Sequence, residues 1–375
     1  MSKRYVPLEE LLTEYTERNA TNLFRPVAIG RYGIRARESI YSKELAKDYS
    51  KNKLIFQDTL TVGMGSKQID IGILSVNEIY SVSPAYHTFH IKGVDSNYLR
   101  YCLECRNEDM SIRFMVASAR QGKTVDLKRW KKYKIPIYDE PIQQEIIEKL
   151  NTISKGINIL NQILGKLDEL ARARFVEMFG DPIENPMGWD KSPLGKRCNI
   201  ITGNTPPRAD AENYGTFLEW IKSDNINTPD TYLTVAEEYL SQKGFEKCRY
   251  VESGSVLMTC IAGSIGCIGN VAVADRRVAF NQQINAIVPS NDETLYIFWL
   301  MQLSKPYIQS MINMALKGIL SKGQLSALEF PFPPLPRQTE FANFVRDMDK
   351  SKLAAKKCLE KAEYLKDALM QEYFG

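Results

Sequence analysis

Two histidines, His87 and His90, and seven cysteines are the only side chains of their kinds available for metal or nucleophilic chemistry in 375 residues. Their spacing argues against both uses. His87 and His90 stand three apart in a stretch of alternating polarity, so in a strand they point to opposite faces and share no metal. Cys102 and Cys105 form one CxxC on a helical stretch, but no second pair completes four zinc ligands. With Cys198, Cys248, Cys260, Cys267 and Cys358 they make an odd, scattered set, which reads as reduced packing thiols rather than a disulfide framework. Gly122-Lys123-Thr124 imitates the end of a phosphate-binding loop, yet Ala117 stands where that motif needs its first glycine. Gly263, Gly266 and Gly269 lack the GxGxxG spacing. The Asn/Asp-Pro-Pro-Tyr/Phe phrase of amino-methyltransferases does not occur. Neither a metal site nor a catalytic centre is expected.

The remaining chemistry is that of charge. Residues 1–134 carry 23 basic and 15 acidic side chains, whereas residues 181–330 carry 13 and 16. The first stretch is basic enough to favour a polyanion. Its cations cluster as Arg25, Arg31, Arg35 and Arg37 around Tyr32, and as Arg120, Lys123, Lys128, Arg129, Lys131, Lys132 and Lys134 around Trp130. The acidic second stretch means that net charge alone cannot carry a nucleic-acid reading for the whole chain.

What positions these groups emerges from an internal repeat. Residues 135–180 lie on residues 330–375 at a constant offset of 195 without a gap, and 12 of the 46 positions are identical. Each copy reads as a short apolar strand, a proline-bounded entry at Pro141 or Pro336, and one long helix closed by Gly180 or Gly375. In the first copy Ile146, Leu150, Ile153, Ile157, Leu160, Leu164, Leu167 and Ala171 alternate in steps of four and three, a coiled-coil seam. The second copy gives Phe341, Val345, Met348, Lys352, Ala355, Leu359, Ala362, Lys366 and Leu369. A helix of about 39 residues is roughly 58 Å long, which suits a spacer better than the core of one domain.

The stretches before the helices read as mixed α/β bodies. SVLMTCIAGSIGCIGNVAVA and DTLTVGMGSKQIDIGIL each predict two strands joined by a tight hairpin. The division expected is therefore 1–134 and 181–329 as globular domains, with 135–180 and 330–375 each a strand and long helix. The openings differ: VPLEELLTEYTERN departs from GWDKSPLGKRCNIITGNTP. No run reaches 18 apolar residues and the first twenty carry charges where a leader needs an apolar core, so a cytoplasmic chain without membrane contact is expected.

The sequence resembles the specificity subunits of type I restriction-modification systems. The resemblance covers essentially the full chain and rests on the two half-copies, on GWDKSPLGKRCNIITGNTP, AGSIGCIGN and FNQQINAIVP, and above all on FPFPPLPRQTEFANFV running to LMQEYFG. It implies an α/β (α+β) fold in which two target-recognition domains are separated by two long helices forming an antiparallel coiled coil with pseudo-two-fold symmetry. It implies a non-catalytic subunit that binds double-stranded DNA at a bipartite, asymmetric site. Two modification subunits would carry S-adenosylmethionine and methylate adenine, and restriction subunits would supply ATP- and Mg-dependent translocation and cleavage.

Base contacts suit Arg, Lys, Asn, Gln, Ser and Thr on loops, because their forks and amides match base edges. The candidates are Arg31, Arg35, Arg37, Lys43, Lys67 and Lys123 in the first domain. In the second they are Thr205, Arg208, Lys222, Asn225, Asn227 and Arg276. Two other classes compete, a coiled-coil scaffold that binds no DNA and a single-chain DNA methyltransferase. Salt-sensitive duplex binding excludes the first, and failure to transfer methyl groups unaided excludes the second.

Overall fold

The structure, a computed structural model, describes residues 3–30, 33–37, 48–65, 67–118, 122–312 and 318–375. It forms two compact units, residues 1–161 with 357–375, and residues 162–356. The long helices are Glu140–Phe179 and Leu335–Phe374, 40 residues each, and each contributes to both units.

In the first unit four antiparallel strands lie in the spatial order Leu12–Tyr15, His87–Ile91, Thr59–Met64, Ile69–Ile73. In the second the order is Cys198–Thr202, Ile284–Pro289, Ser255–Thr259, Val271–Ala274, again antiparallel. The topology is the same. In both, a ribbon ties the start of the globular part to the strand that feeds a long helix: Lys3–Pro7 pairs with Lys134–Tyr138, and Lys191–Pro193 with Glu329–Pro331. Strands are otherwise mixed in the second unit, where Trp220 pairs in parallel with Ala279. Helix and antiparallel sheet are thus segregated in the α+β manner.

The two openings, unlike as sequences, fold alike. After Pro7 and after Pro193 the chain makes one helical turn, Leu8–Leu11 or Leu194–Arg197, and enters the sheet, with Leu8 and Leu194 fully buried. One expectation fails. The turn between Thr59–Met64 and Ile69–Ile73 is tight, but Ser255–Thr259 and Val271–Ala274 are joined by a long loop that contains a 3-10 turn at Ile265–Cys267. The apolar and glycine pattern of that stretch marks its strands and not its loop length. Trp130, expected amid a basic surface, is instead wholly buried in the first core.

The repeated residues do the same work twice. Gln143 donates to Tyr138 O at 2.7 Å and accepts from Asp95 N at 3.4 Å, while Gln338 donates to Pro333 O at 2.8 Å and accepts from Glu293 N at 3.0 Å. Tyr98 donates to Pro136 O at 2.8 Å, and Tyr296 to Pro331 O at 2.7 Å. Buried polar groups need such partners, so the identities at these positions are explained.

The helices run antiparallel as a coiled coil. In the first unit Ile146 and Leu150 share a core with Met370 and Phe374. In the second, Phe341 lies edge-on to Phe175 at 5.4 Å and to Phe179 at 5.6 Å. Ile153, Ile157 and Leu160 of the first unit and Leu164 and Leu167 of the second are half-buried, Ala171 fully so. On the other helix Phe341, Val345 and Met348 are buried, and Leu359 and Leu369 half-buried. The two seam lysines are matched by carboxylates, Lys352 with Asp168 at 2.6 Å and Lys366 with Glu104 at 3.1 Å.

Candidate nucleic-acid interface

Three ribbons carry the first domain's candidates around one sheet. Arg35 sits on Gly33–Ala36, opposite Ala28 on Val27–Gly30, and is exposed. This hairpin packs on strand Ile69–Ile73, where Gly72 leaves no room for a Cβ beside Ile34. Arg37 lies over the Tyr49 ring at 5.7 Å. Lys67 is exposed in the turn closed by Gly65 N donating to Gln68 O at 3.1 Å. That turn needs glycine, since a Cβ at 65 would come within 2.7 Å of the Gln68 carbonyl. Lys123 is exposed on Gly122–Val125, paired opposite Ala117. Arg31 and Lys43 lie outside the described residues.

In the second domain a loop after Cys198–Thr202 brings three candidates together. Gly203 starts it, and a Cβ there would lie 2.2 Å from Asn281 O and 2.4 Å from Phe280 O. Asn204 pins the loop by donating to Lys247 O at 2.9 Å and accepting from Arg249 N at 2.8 Å. Thr205 hydrogen-bonds to Gln282. The Arg208 guanidinium lies 4.7 Å from the Tyr214 ring centre and 4.8 Å from that of Trp220. It pairs with Glu238 at 2.7 Å, and Lys222 pairs with the other oxygen of the same carboxylate. The hydrogen bond from Lys222, helped by that from Arg208, holds Glu238 below the usual carboxylate range against the opposing effect of burial.

Three other candidates are engaged internally. Asn225 is buried, accepts from Lys222 N at 3.0 Å and donates to Thr234 Oγ1 and Val235 O, both at 3.1 Å. Arg276 grips Glu219 at 2.5 Å, Asp275 at 2.6 Å and the Thr234 carbonyl at 3.0 Å. Asn227 is exposed and accepts from Asn270 at 2.7 Å. Asn225 is thus a turn brace and Arg276 a tie across the sheet, the latter with partners 42 and 57 residues away.

One group escaped sequence reasoning. Arg106 and Arg113, on helix Ser96–Phe114, line an open hollow of about 530 Å³ with Arg129, Lys132 and Lys134. The signal was there, because residues seven apart on a helix share a face.

The histidines and cysteines singled out in the sequence are engaged locally. His87 Nδ1 is 2.8 Å from Glu14, and His90 stacks on Tyr15 at 4.1 Å. Burial pushes the Cys102 thiol up, away from the reactive thiolate. Among the described residues no three of His, Cys, Asp and Glu are grouped to hold a metal ion, and no helix is long and apolar enough to cross a membrane.

Two like-ordered antiparallel sheets, each bearing divergent polar loops and each joined to a long helix, define a protein built twice on one framework. The family model for the type I restriction modification DNA specificity domain matches twice, over residues 17–169 and 186–363, and the chain belongs to that family. It is 20% identical over 347 residues to the putative type I restriction enzyme MjaX specificity subunit of Methanocaldococcus jannaschii, covering 84% of this chain and 78% of that one. It is 29% identical over 117 residues to the type I restriction enzyme HindI specificity subunit of Haemophilus influenzae. That stretch is 31% of this chain and spans 24% of the relative's length. Among solved structures, the type I restriction-modification S subunit from M. genitalium superposes with a TM-score of 0.61 at 13% identity, over 100% of this chain and 96% of that one. A chain from a study of complex assembly and conformational transition of the type I R-M system gives 0.57 at 16% identity, over 99% and 97%.

Proposed function

We propose that the chain reads DNA sequence for a type I restriction-modification complex and catalyses nothing itself. Each globular domain recognises one half of a bipartite, asymmetric site on double-stranded DNA. Two modification subunits, carrying S-adenosylmethionine, methylate adenine at that site, and restriction subunits, using ATP and Mg, cleave DNA. The assembly works in the cytoplasm. The single observation that carries this reading is the duplicated sheet order with unlike loops. One framework built twice, with Arg35, Lys67 and Lys123 on one copy and Thr205, Arg208 and Lys222 on the other, suits two different half-sites.

The long helices are the docking surface for the modification subunits. Their outward positions include Ile159, Leu170, Leu353 and Tyr364, all at least half exposed, where a helix that only packed on its mate would carry polar residues.

The test is methyl transfer from labelled S-adenosylmethionine to duplex DNA. The purified chain alone gives none, and adding a modification subunit restores it on DNA that contains the site. Transfer by the isolated chain, with contaminating enzyme excluded, refutes the reading.

A further inference from the structure

We propose that the hollow lined by Arg106, Arg113, Arg129, Lys132 and Lys134 seats the phosphodiester backbone of duplex DNA and supplies most of the chain's salt-dependent affinity. The proposal rests on the DNA-reading function above and adds where the sequence-independent grip lies.

Five cations converge here, two of them from one helix. Arg106 and Arg113 lie two turns apart on helix Ser96–Phe114, Arg129 is on the short helix Leu127–Trp130, and Lys134 begins strand Lys134–Tyr138. The one carboxylate in the lining, Asp109, is already satisfied. It accepts from Tyr133 OH and from Arg113 Nε, each at 2.7 Å, and these contacts hold it below the usual carboxylate range. Arg129 pairs loosely with Asp126 at 4.0 Å, and its guanidinium lies 5.8 Å from the Phe114 ring centre. Among the described residues Lys132 and Lys134 have no ion-pair partner within 4 Å, and Arg106 has none either, though its charge acts on Asp109 and its side chain on Tyr133.

The chemistry selects the ligand. Arginine and lysine donate and never accept, so this lining matches the oxygens of phosphates. The hollow is shallow and open, which suits a chain of phosphates passing over it rather than an enclosed small cofactor. The second domain differs. There Arg208 and Lys222 share Glu238, Lys243 and Lys247 share Asp210, Arg276 holds Glu219, and Arg277 holds Glu252. Cations already paired release few counterions on binding, so the first domain should dominate the salt response.

The test measures binding of the full chain to fluorescent duplexes of several sequences by anisotropy, between about 50 and 200 mM NaCl. Arg129, Lys132 and Lys134 are exposed, so the triple variant Arg129→Gln, Lys132→Gln, Lys134→Gln leaves the fold intact. It should weaken binding equally on every duplex and reduce the slope of log K against log salt by about 2–3, at roughly 0.9 per phosphate. Arg208→Gln with Lys222→Gln, the paired control, should change that slope by less than about 1. Arg106→Gln, a separate single change, should lower affinity on all sequences alike. A triple variant with the parental slope, from a parent that binds duplex, overturns the hollow's assignment and leaves the recognition function standing. Loss of polyglutamate binding with unchanged duplex binding also overturns it, in favour of an acidic protein segment. A parent chain that binds no duplex at any salt overturns both.

Discussion

Asp70 has an unusual environment for a surface hairpin. It lies opposite Gly63, and burial alone pushes its carboxyl up to about 6 from an ordinary value of 3.8. The folded chain therefore binds this proton more tightly than the unfolded chain does. Stability from the protonated form is fully present below about 4 and is lost as pH rises through about 6. Asp70→Asn keeps the shape and removes the charge. It should raise the melting temperature at pH 7.5 and leave it unchanged near pH 3.5. Equal melting temperatures for variant and parent at pH 7.5 would show that the burial is relieved by water. Residues of this kind set the limit of what sequence conveys. Gln143 and Gln338 stand out as repeated identities, but only the structure supplies the reason, a buried bond to the Tyr138 or Pro333 carbonyl. Asn225 and Arg276 suit base reading in the sequence because their amide and fork have no visible partner there. Those partners, such as Glu219 some 57 residues from Arg276, come into place only on folding.

At the scale of elements, the long helices were the most legible feature, because a seam that alternates fours and threes from Ile146 to Ala171 keeps one apolar stripe facing a partner helix and fits no strand or loop. The helix bounds, Glu140–Phe179 and Leu335–Phe374, follow the prolines and glycines that frame the repeat. Short elements were less so. The turn at Leu8 and the turn at Leu194 share only a proline and a leucine, too little to align, yet each buries that leucine completely. The loop between Ser255–Thr259 and Val271–Ala274 shows the same limit, since glycines permit a tight turn without requiring one. The helix ends are anchored by aromatics: Phe374 packs edge-on to Tyr98 at 5.3 Å, and Phe179 to Tyr296 at 5.1 Å. Both phenylalanines are essentially inaccessible. Phe374→Ala should cost about 3–5 kcal/mol, through lost burial plus the cavity left behind. Urea unfolding would measure it, and a loss below about 1 kcal/mol would mean that the helix end is not part of the core.

For the whole molecule, the function and the grip proposed above divide unequally between the basic first domain and the charge-paired second. On that proposal, grip resides with cations such as Lys132 and Lys134, and sequence choice with loops that differ between two copies of one framework. The family was legible because the duplication and its closing phrase are both specific. The DNA sequence recognised was not legible, since loop side chains take their positions only from the fold. The central claim is that the two domains read independently. Its most direct measurement replaces residues 181–329 with the corresponding domain of another family member and supplies a modification subunit. Methylated adenines are then mapped across the DNA of a host that otherwise lacks them. The account predicts a bipartite motif in which one half is new and the other is that of the parent chain. A folded, active hybrid whose motif changes in both halves, or in neither, would contradict it.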